Sequence, residues 1–254
     1  MNKKLPILLL LLTLGIGVFI FRTQLRRPGV MAIQMVSKKK TTADRVAEFG
    51  AVVHARLAPA FERLGVSYPP KGVTLLGLKA ERTLQVWVSG PDGAWKHLTN
   101  YPILGMSGTL GPKLKEGDRQ VPEGIYRVES LNPNSLYHLA LRVNYPNAED
   151  RRRGKLDGRN ELGSDIMIHG KTCSIGCLAM GDKAAEDLFV LAAETGPDNV
   201  SIILSPVDFR TRSLPAQTAP LPRWTDALYE EIKTALKKLE TPTPRTGQKS
   251  AARR

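Results

Sequence analysis

Apolar positions follow four different patterns along the chain, and each predicts a different kind of element. Leu5 to Phe21 is an almost continuous apolar run behind Lys3 and Lys4. Its seventeen residues rise about 25 Å as a helix, within the range of a membrane span. Arg22, Arg26 and Arg27 follow, with no small-x-small cleavage site directly after Phe21. Residues 1–27 therefore read first as an uncleaved signal anchor and second as a cleaved signal peptide. Residues 28–70 read as a linker and an amphipathic helix. Val46, Phe49, Val53, Leu57, Phe61 and Leu64 recur at steps of three and four, after a start at Thr41 or Thr42 with Asp44 in the first turn. His54 lies beside that stripe and reads as a surface histidine. Pro69-Pro70 closes the segment.

From Val73 the runs become short and β-rich: VTLLGLK, TLQVWV, AWKHLTNYPIL, GIYRVES and YHLALRVNY, separated by Gly, Pro, Asn and Asp. Asp165 to His169 predicts another strand. Asp182 is placed to cap a helix reaching about Glu194, with Ala185, Leu188, Phe189 and Ala192 on one side. Val200 to Leu204 predicts a final buried strand. These runs make 71–210 the central domain. Residues 211–240 predict a linker and a second amphipathic helix, with Leu228, Ile232, Ala235, Leu236 and Leu239 on its apolar side. Residues 241–254 (TPTPRTGQKSAARR) predict a disordered basic tail. The expected fold class is mainly β (α+β), a β core with a few peripheral helices, preceded by an N-terminal membrane segment. With 22 Gly, 18 Pro and 6% aromatics, turns and short strands are expected rather than a helical bundle.

The formal net charge of +13 points to an anionic partner. Its clusters, Arg26-Arg27, Lys38 to Lys40, Arg151 to Arg153 and the tail, have no interleaved aromatic residues. Export adds to that argument, so a nucleic-acid partner is not expected. The export segment places the central domain in the cell envelope, periplasmic or extracytoplasmic, anchored in the inner membrane.

The candidate chemistry is concentrated in ELGSDIMIHGKTCSIGCLAMGD. Both cysteines of the chain, Cys173 and Cys177, lie within eight positions of His169. Three readings stand. An imidazole can take the thiol proton and make Cys177 a nucleophile, with the amides of Gly176 and Cys177 forming an oxyanion hole. Cys173 and Cys177 can form a short-loop disulfide. His169, Cys173 and Cys177 can ligate a metal, although Gly170, Ser174 and Gly176 argue against the helix that would align them, and no fourth ligand is evident.

IMIHGKTCSIGCLAMGD resembles the active-site signature of the L,D-transpeptidase catalytic domain, the YkuD type. Gly111-Pro112-Lys113, Gly117-Asp118, Pro122 to Tyr126 and Asn144 to Asn147 are similar to its YafK-like branch, and the likeness runs from residue 72 to 205. Ile175 departs from the family box, which has a second histidine there, and the gap from His169 to Cys177 is shorter than usual. The resemblance implies a YkuD-like β-sandwich core. It implies Cys177 as nucleophile and His169 as base, with Gly170 orienting the imidazole through its carbonyl and Ser174 shaping the loop. The implied substrate is a diaminopimelate-containing stem peptide of peptidoglycan, bound as an acyl-enzyme without metal or organic cofactor. An amine acceptor makes the protein a transpeptidase, whereas water makes it an amidase or endopeptidase. A non-catalytic wall-binding module is the alternative of another class. Arg142, Asn144 and Arg153 are the expected substrate contacts, and Arg151, Arg152, Lys155 and Arg159 belong to the same basic stretch, read as a loop.

Overall fold

A computed structural model describes residues 39–216 and 220–239. The expected signal anchor (1–27), most of the linker and the C-terminal tail (241–254) lie outside the described residues. Among the described residues, no helix is long and apolar enough to cross a membrane.

Helix α1, Thr42–Leu64, starts where a capping box can close. The Thr41 hydroxyl accepts from the Asp44 amide, and the Asp44 carboxylate accepts from the Thr41 amide. Gly65, in the left-handed region, ends the helix. Strands β1 (Val73–Leu78), β2 (Thr83–Ser89), β3 (Trp95–Pro102), β4 (Gly124–Ser135) and β5 (His138–Val143) follow. Helix α2 (Ala148–Leu156) then leads to the short strands β6 (Met167–His169) and β7 (Leu178–Ala179). Helix α3 (Asp182–Thr195), strand β8 (Val200–Ser205) and helix α4 (Thr225–Leu239) complete the chain order.

The eight strands form one sheet in the order β3-β2-β1-β8-β4-β5-β6-β7. The last strand, β8, runs parallel to β1 on one side and antiparallel to β4 on the other. Gly124 to Arg127 of β4 pair with β8, whereas Val128 onward pairs with β5 across two register breaks. Such breaks bend a strand and increase its twist. The bent β4 thus joins two half-sheets into one curled sheet, consistent with the YkuD-like core that the resemblance implies. The four helices hold more residues than the eight strands, so the fold is mixed α/β rather than mainly β.

Burial on both faces explains the near-continuous apolar sequence of β1, all six residues of which are buried. Leu75 packs with Val53, Leu57 and Phe61 of α1 and Leu188 and Phe189 of α3. Leu76 and Leu78 pack with Leu228, Ile232 and Leu236 of α4. Asp182 is not the cap of α3: Gly181 holds that position without a side-chain bond. The Asp182 carboxylate instead accepts from the amide and ammonium of Lys171, fixing the loop after β6.

Candidate active site

The site grows from the pairing of two very short strands. β6 and β7 are parallel, with Ile168 opposite Leu178 and His169 opposite Ala179. Extending that register by one residue sets Cys177 across from Met167. The Met167 amide donates to Cys177 Sγ at 3.4 Å, and the thiol lies 3.5 Å from the Asp165 carbonyl oxygen. Residues two apart on a strand share a face, so His169 stands one strand step along from the thiol on the face that carries Met167. Among the described residues, the imidazole and the thiol share no direct hydrogen bond; the backbone holds each in place.

His169 is 2% exposed. Its Nδ1 lies 2.6 Å from the Gly170 carbonyl oxygen. A carbonyl only accepts, so the proton sits on Nδ1 and Nε2 keeps its lone pair. Burial lowers the His169 pKa, and the Gly170 carbonyl opposes that shift. The Tyr137 ring lies tilted against the imidazole with centroids 4.7 Å apart. Burial raises the pKa of Cys177; the Met167 amide opposes this, the Asp165 charge adds to it, and the Lys113 charge opposes it. The resting pair at neutral pH is therefore a thiol and a neutral imidazole.

Close packing explains Gly170. A Cβ there would lie 2.7 Å from both the Tyr137 carbonyl oxygen and Asp182 Oδ1. Gly176 has φ +87°, a conformation that disfavours other residues. The Ser174 hydroxyl accepts from the Cys177 amide at 2.9 Å and donates to the Cys177 carbonyl at 2.7 Å. The Gly176 amide donates to Ser107 Oγ at 2.7 Å. Both amides expected to form an oxyanion hole thus donate to serine hydroxyls in this conformation. Cys173 and Cys177 are free thiols, and Cys173 is exposed. Among the described residues, no group of three or more His, Cys, Asp or Glu is placed to hold a metal ion.

The expected substrate contacts are engaged within the protein. Arg142 pairs with Glu129 at 2.6 Å and with Asp165. Asn144 Oδ1 accepts from the Arg127 amide at 2.8 Å. The Arg153 side chain, 5% exposed, grips both Glu231 oxygens at 2.8 and 2.9 Å and lies over the Trp224 ring. Arg151 to Lys155 belong to α2 rather than to a loop. The missed residues are Ser107 and Tyr137. Ser107 left only a small-residue turn, Gly105-Met106-Ser107-Gly108, as its trace. Tyr137 sits with Leu136 as an exposed apolar pair in a hairpin turn where polar residues are usual.

Residues 79–202 match the family model YkuD, the L,D-transpeptidase catalytic domain. The match takes in just under half of the chain. It encloses His169, Cys177 and the contacts that hold them. YafK of Escherichia coli (strain K12), whose name carries the L,D-transpeptidase assignment provisionally, is 40% identical over 113 residues. That match covers 44% of this chain and 43% of YafK, so the chain matches less than half the length of that relative. Among solved structures, the helical cell shape determining protein Pgp2 from Campylobacter jejuni is 23% identical, with a TM-score of 0.45 over 57% of this chain and 50% of Pgp2. L,D-transpeptidase 1 of Mycobacterium tuberculosis is 16% identical, with a TM-score of 0.30 over 53% of this chain and 62% of its own.

Proposed function

We propose that the protein is a cysteine-dependent L,D-transpeptidase of the cell envelope, tethered through residues 1–27, that acts on diaminopimelate-containing stem peptides. The observation that carries this reading is the hydrogen bond from His169 Nδ1 to the Gly170 carbonyl. It leaves Nε2 able to accept a proton, on the strand beside the thiol. Cys177 Sγ attacks the amide carbonyl at the L-centre of diaminopimelate, and its proton passes to His169 Nε2. Collapse of the tetrahedral intermediate breaks the C–N bond, and the same proton leaves on the departing amine. The thioester is then attacked by a second amine, whose proton returns through His169 to the thiol. If water attacks instead, the product is a free carboxylate and the protein is an amidase or endopeptidase.

The test is mass spectrometry of muropeptides incubated with the reduced chain and a free D-amino acid as trial acceptor, with Cys177→Ala in parallel. New cross-links or acceptor exchange that disappear in the variant are the expected result. Cys177-dependent tripeptide ends without exchange would assign the hydrolase. No Cys177-dependent change on verified substrates would overturn the enzymatic reading in favour of a wall-binding module.

A further inference from the structure

A cavity of about 350 Å³ opens between α2 and the segment that enters β6. Its lining includes Arg151, Lys155, Glu116, Glu161, Gly163 and Ser164. Arg151 and Lys155 are four apart on α2 and so share one helix face. The two glutamates are brought together by backbone pairing, the Glu116 amide donating to the Glu161 carbonyl at 2.9 Å. The other arginines of the basic stretch are neutralised internally: Arg152 by Glu149, Arg153 by Glu231 and Arg159, which also lines the cavity, by Asp157. Among the described residues, the side chains of Arg151, Lys155, Glu116 and Glu161 make no ion pair or hydrogen bond. Besides the paired Arg159, two cations and two carboxylates without an ion-pair partner thus face one cavity.

Such a lining suits a ligand that carries both charges on one carbon. We propose that this cavity binds a zwitterionic α-amino-acid end group, with Arg151 and Lys155 on its carboxylate and Glu116 and Glu161 on its ammonium. The assignment rests on the stem-peptide reading above and names the part of the substrate held there: the free D-centre of diaminopimelate. The spacing agrees. Ser164 lines the cavity, and the carbonyl of the next residue, Asp165, lies 3.5 Å from Sγ. Adjacent Cα atoms are about 3.8 Å apart, so the wall begins within one or two residue steps of the thiol. In diaminopimelate five bonds separate the reacting acyl carbon from the far amino-acid carbon, about 6 Å when extended. A cation pair alone would accept any carboxylate; the added acids select for the ammonium as well, and reject a simple diacid by like-charge repulsion.

The test measures binding, so that it does not depend on turnover. Full-length protein carrying Cys177→Ala is titrated with three tripeptides that differ only at the third residue: diaminopimelate, lysine (ammonium without carboxylate) and 2-aminopimelate (carboxylate without ammonium). Diaminopimelate is expected to bind about tenfold more tightly than either, the loss expected when one charged contact is removed. Arg151→Ala/Lys155→Ala should abolish the advantage over the lysine peptide and leave the advantage over 2-aminopimelate. Glu116→Gln/Glu161→Gln should do the reverse, and each pair controls for folding of the other. Equal binding of the three peptides, or discrimination that survives both double variants, would overturn the inference. Turnover by wild type without discrimination would sink the subsite and spare the enzyme. Discrimination without any Cys177-dependent turnover would do the opposite.

Discussion

At the scale of single residues, the site is a set of hydrogen bonds that fix protons and angles before substrate arrives. Gly170 supplies a carbonyl that sets the histidine tautomer. Ser174 holds both backbone groups of Cys177, and Ser107 holds the amide before it. For either amide to stabilise a developing oxyanion, a serine hydroxyl must give up its bond to it. Ser174 therefore has two tasks: it fixes the turn that aims Sγ, and it occupies the Cys177 amide. The first is expected to dominate, because losing the turn misplaces Sγ directly, whereas a freed amide gains only if it also faces the developing charge. Ser174→Ala should lower kcat about tenfold while removing only about 1 kcal/mol of stability. Steady-state kinetics beside a urea melt would decide it. An unchanged or raised kcat would show that the hydroxyl restrains the amide rather than aims the thiol.

At the scale of elements, α2 shows what sequence patterns reveal and what they hide. The strands from β1 to β5 and helices α1, α3 and α4 were legible because one or both of their faces are buried, which imposes a period on the sequence. AEDRRRGKL has no such period, since α2 packs through Gly154 and the stem of Arg153. Its one local signal, an asparagine followed three positions later by an aspartate, is a capping box like that of α1. β7, two residues long, is too short to leave any pattern. His169 and Cys177 were legible as residue types at a strand end and in a glycine-rich loop. Ser107 and Tyr137 reach the site only through sheet pairing from distant segments, which no local pattern encodes. The α2 cap also carries a charge under strain. Asp150 accepts from the Asn147 amide at 2.9 Å and the Tyr126 hydroxyl at 3.2 Å, yet burial pushes its pKa up to about 6. The folded state binds this proton more tightly than the unfolded chain, so stability is highest below the unfolded value and falls as pH rises to the folded one. Asp150→Asn removes the ionisation and keeps an acceptor oxygen. It should stabilise the protein by on the order of 1–3 kcal/mol at pH 8 and make little difference at pH 4. Equal effects in urea melts at the two pH values would refute the assignment.

At the scale of the molecule, one buried ion pair connects α4 to the loop that carries Cys177. Lys79, at the end of β1, donates to the Gly111 carbonyl at 2.9 Å and the Val121 carbonyl at 3.0 Å, and pairs with Glu123 at 2.8 Å. Those three contacts use every ammonium proton. Glu123 in turn accepts from the Gly111 amide and from the Tyr229 hydroxyl of α4, each at 2.8 Å. Both charged side chains are almost fully buried, at 1% and 0% exposure. Residues 111 to 123 thus hang on this pair, and four positions before them Ser107 holds the Gly176 amide next to Cys177. α4 lies outside the 79–202 match, but it completes the network that positions that serine. Lys79→Met leaves Glu123 charged, buried and unpaired, and should destabilise the fold by about 3–5 kcal/mol. Adding Glu123→Gln removes the stranded charge, so the double variant should be more stable than Lys79→Met alone. Tyr229→Phe should lose about 1–3 kcal/mol, because one Glu123 oxygen is left without its donor. Urea melts of these three variants and of Glu123→Gln alone measure this directly. If the effects of Lys79→Met and Glu123→Gln simply add, the pair is not coupled and the 111–123 segment is held by packing alone. If they couple, kcat in Tyr229→Phe tests the remaining link, because a loosened 111–123 segment should lower turnover through Ser107 without touching the thiol or the imidazole.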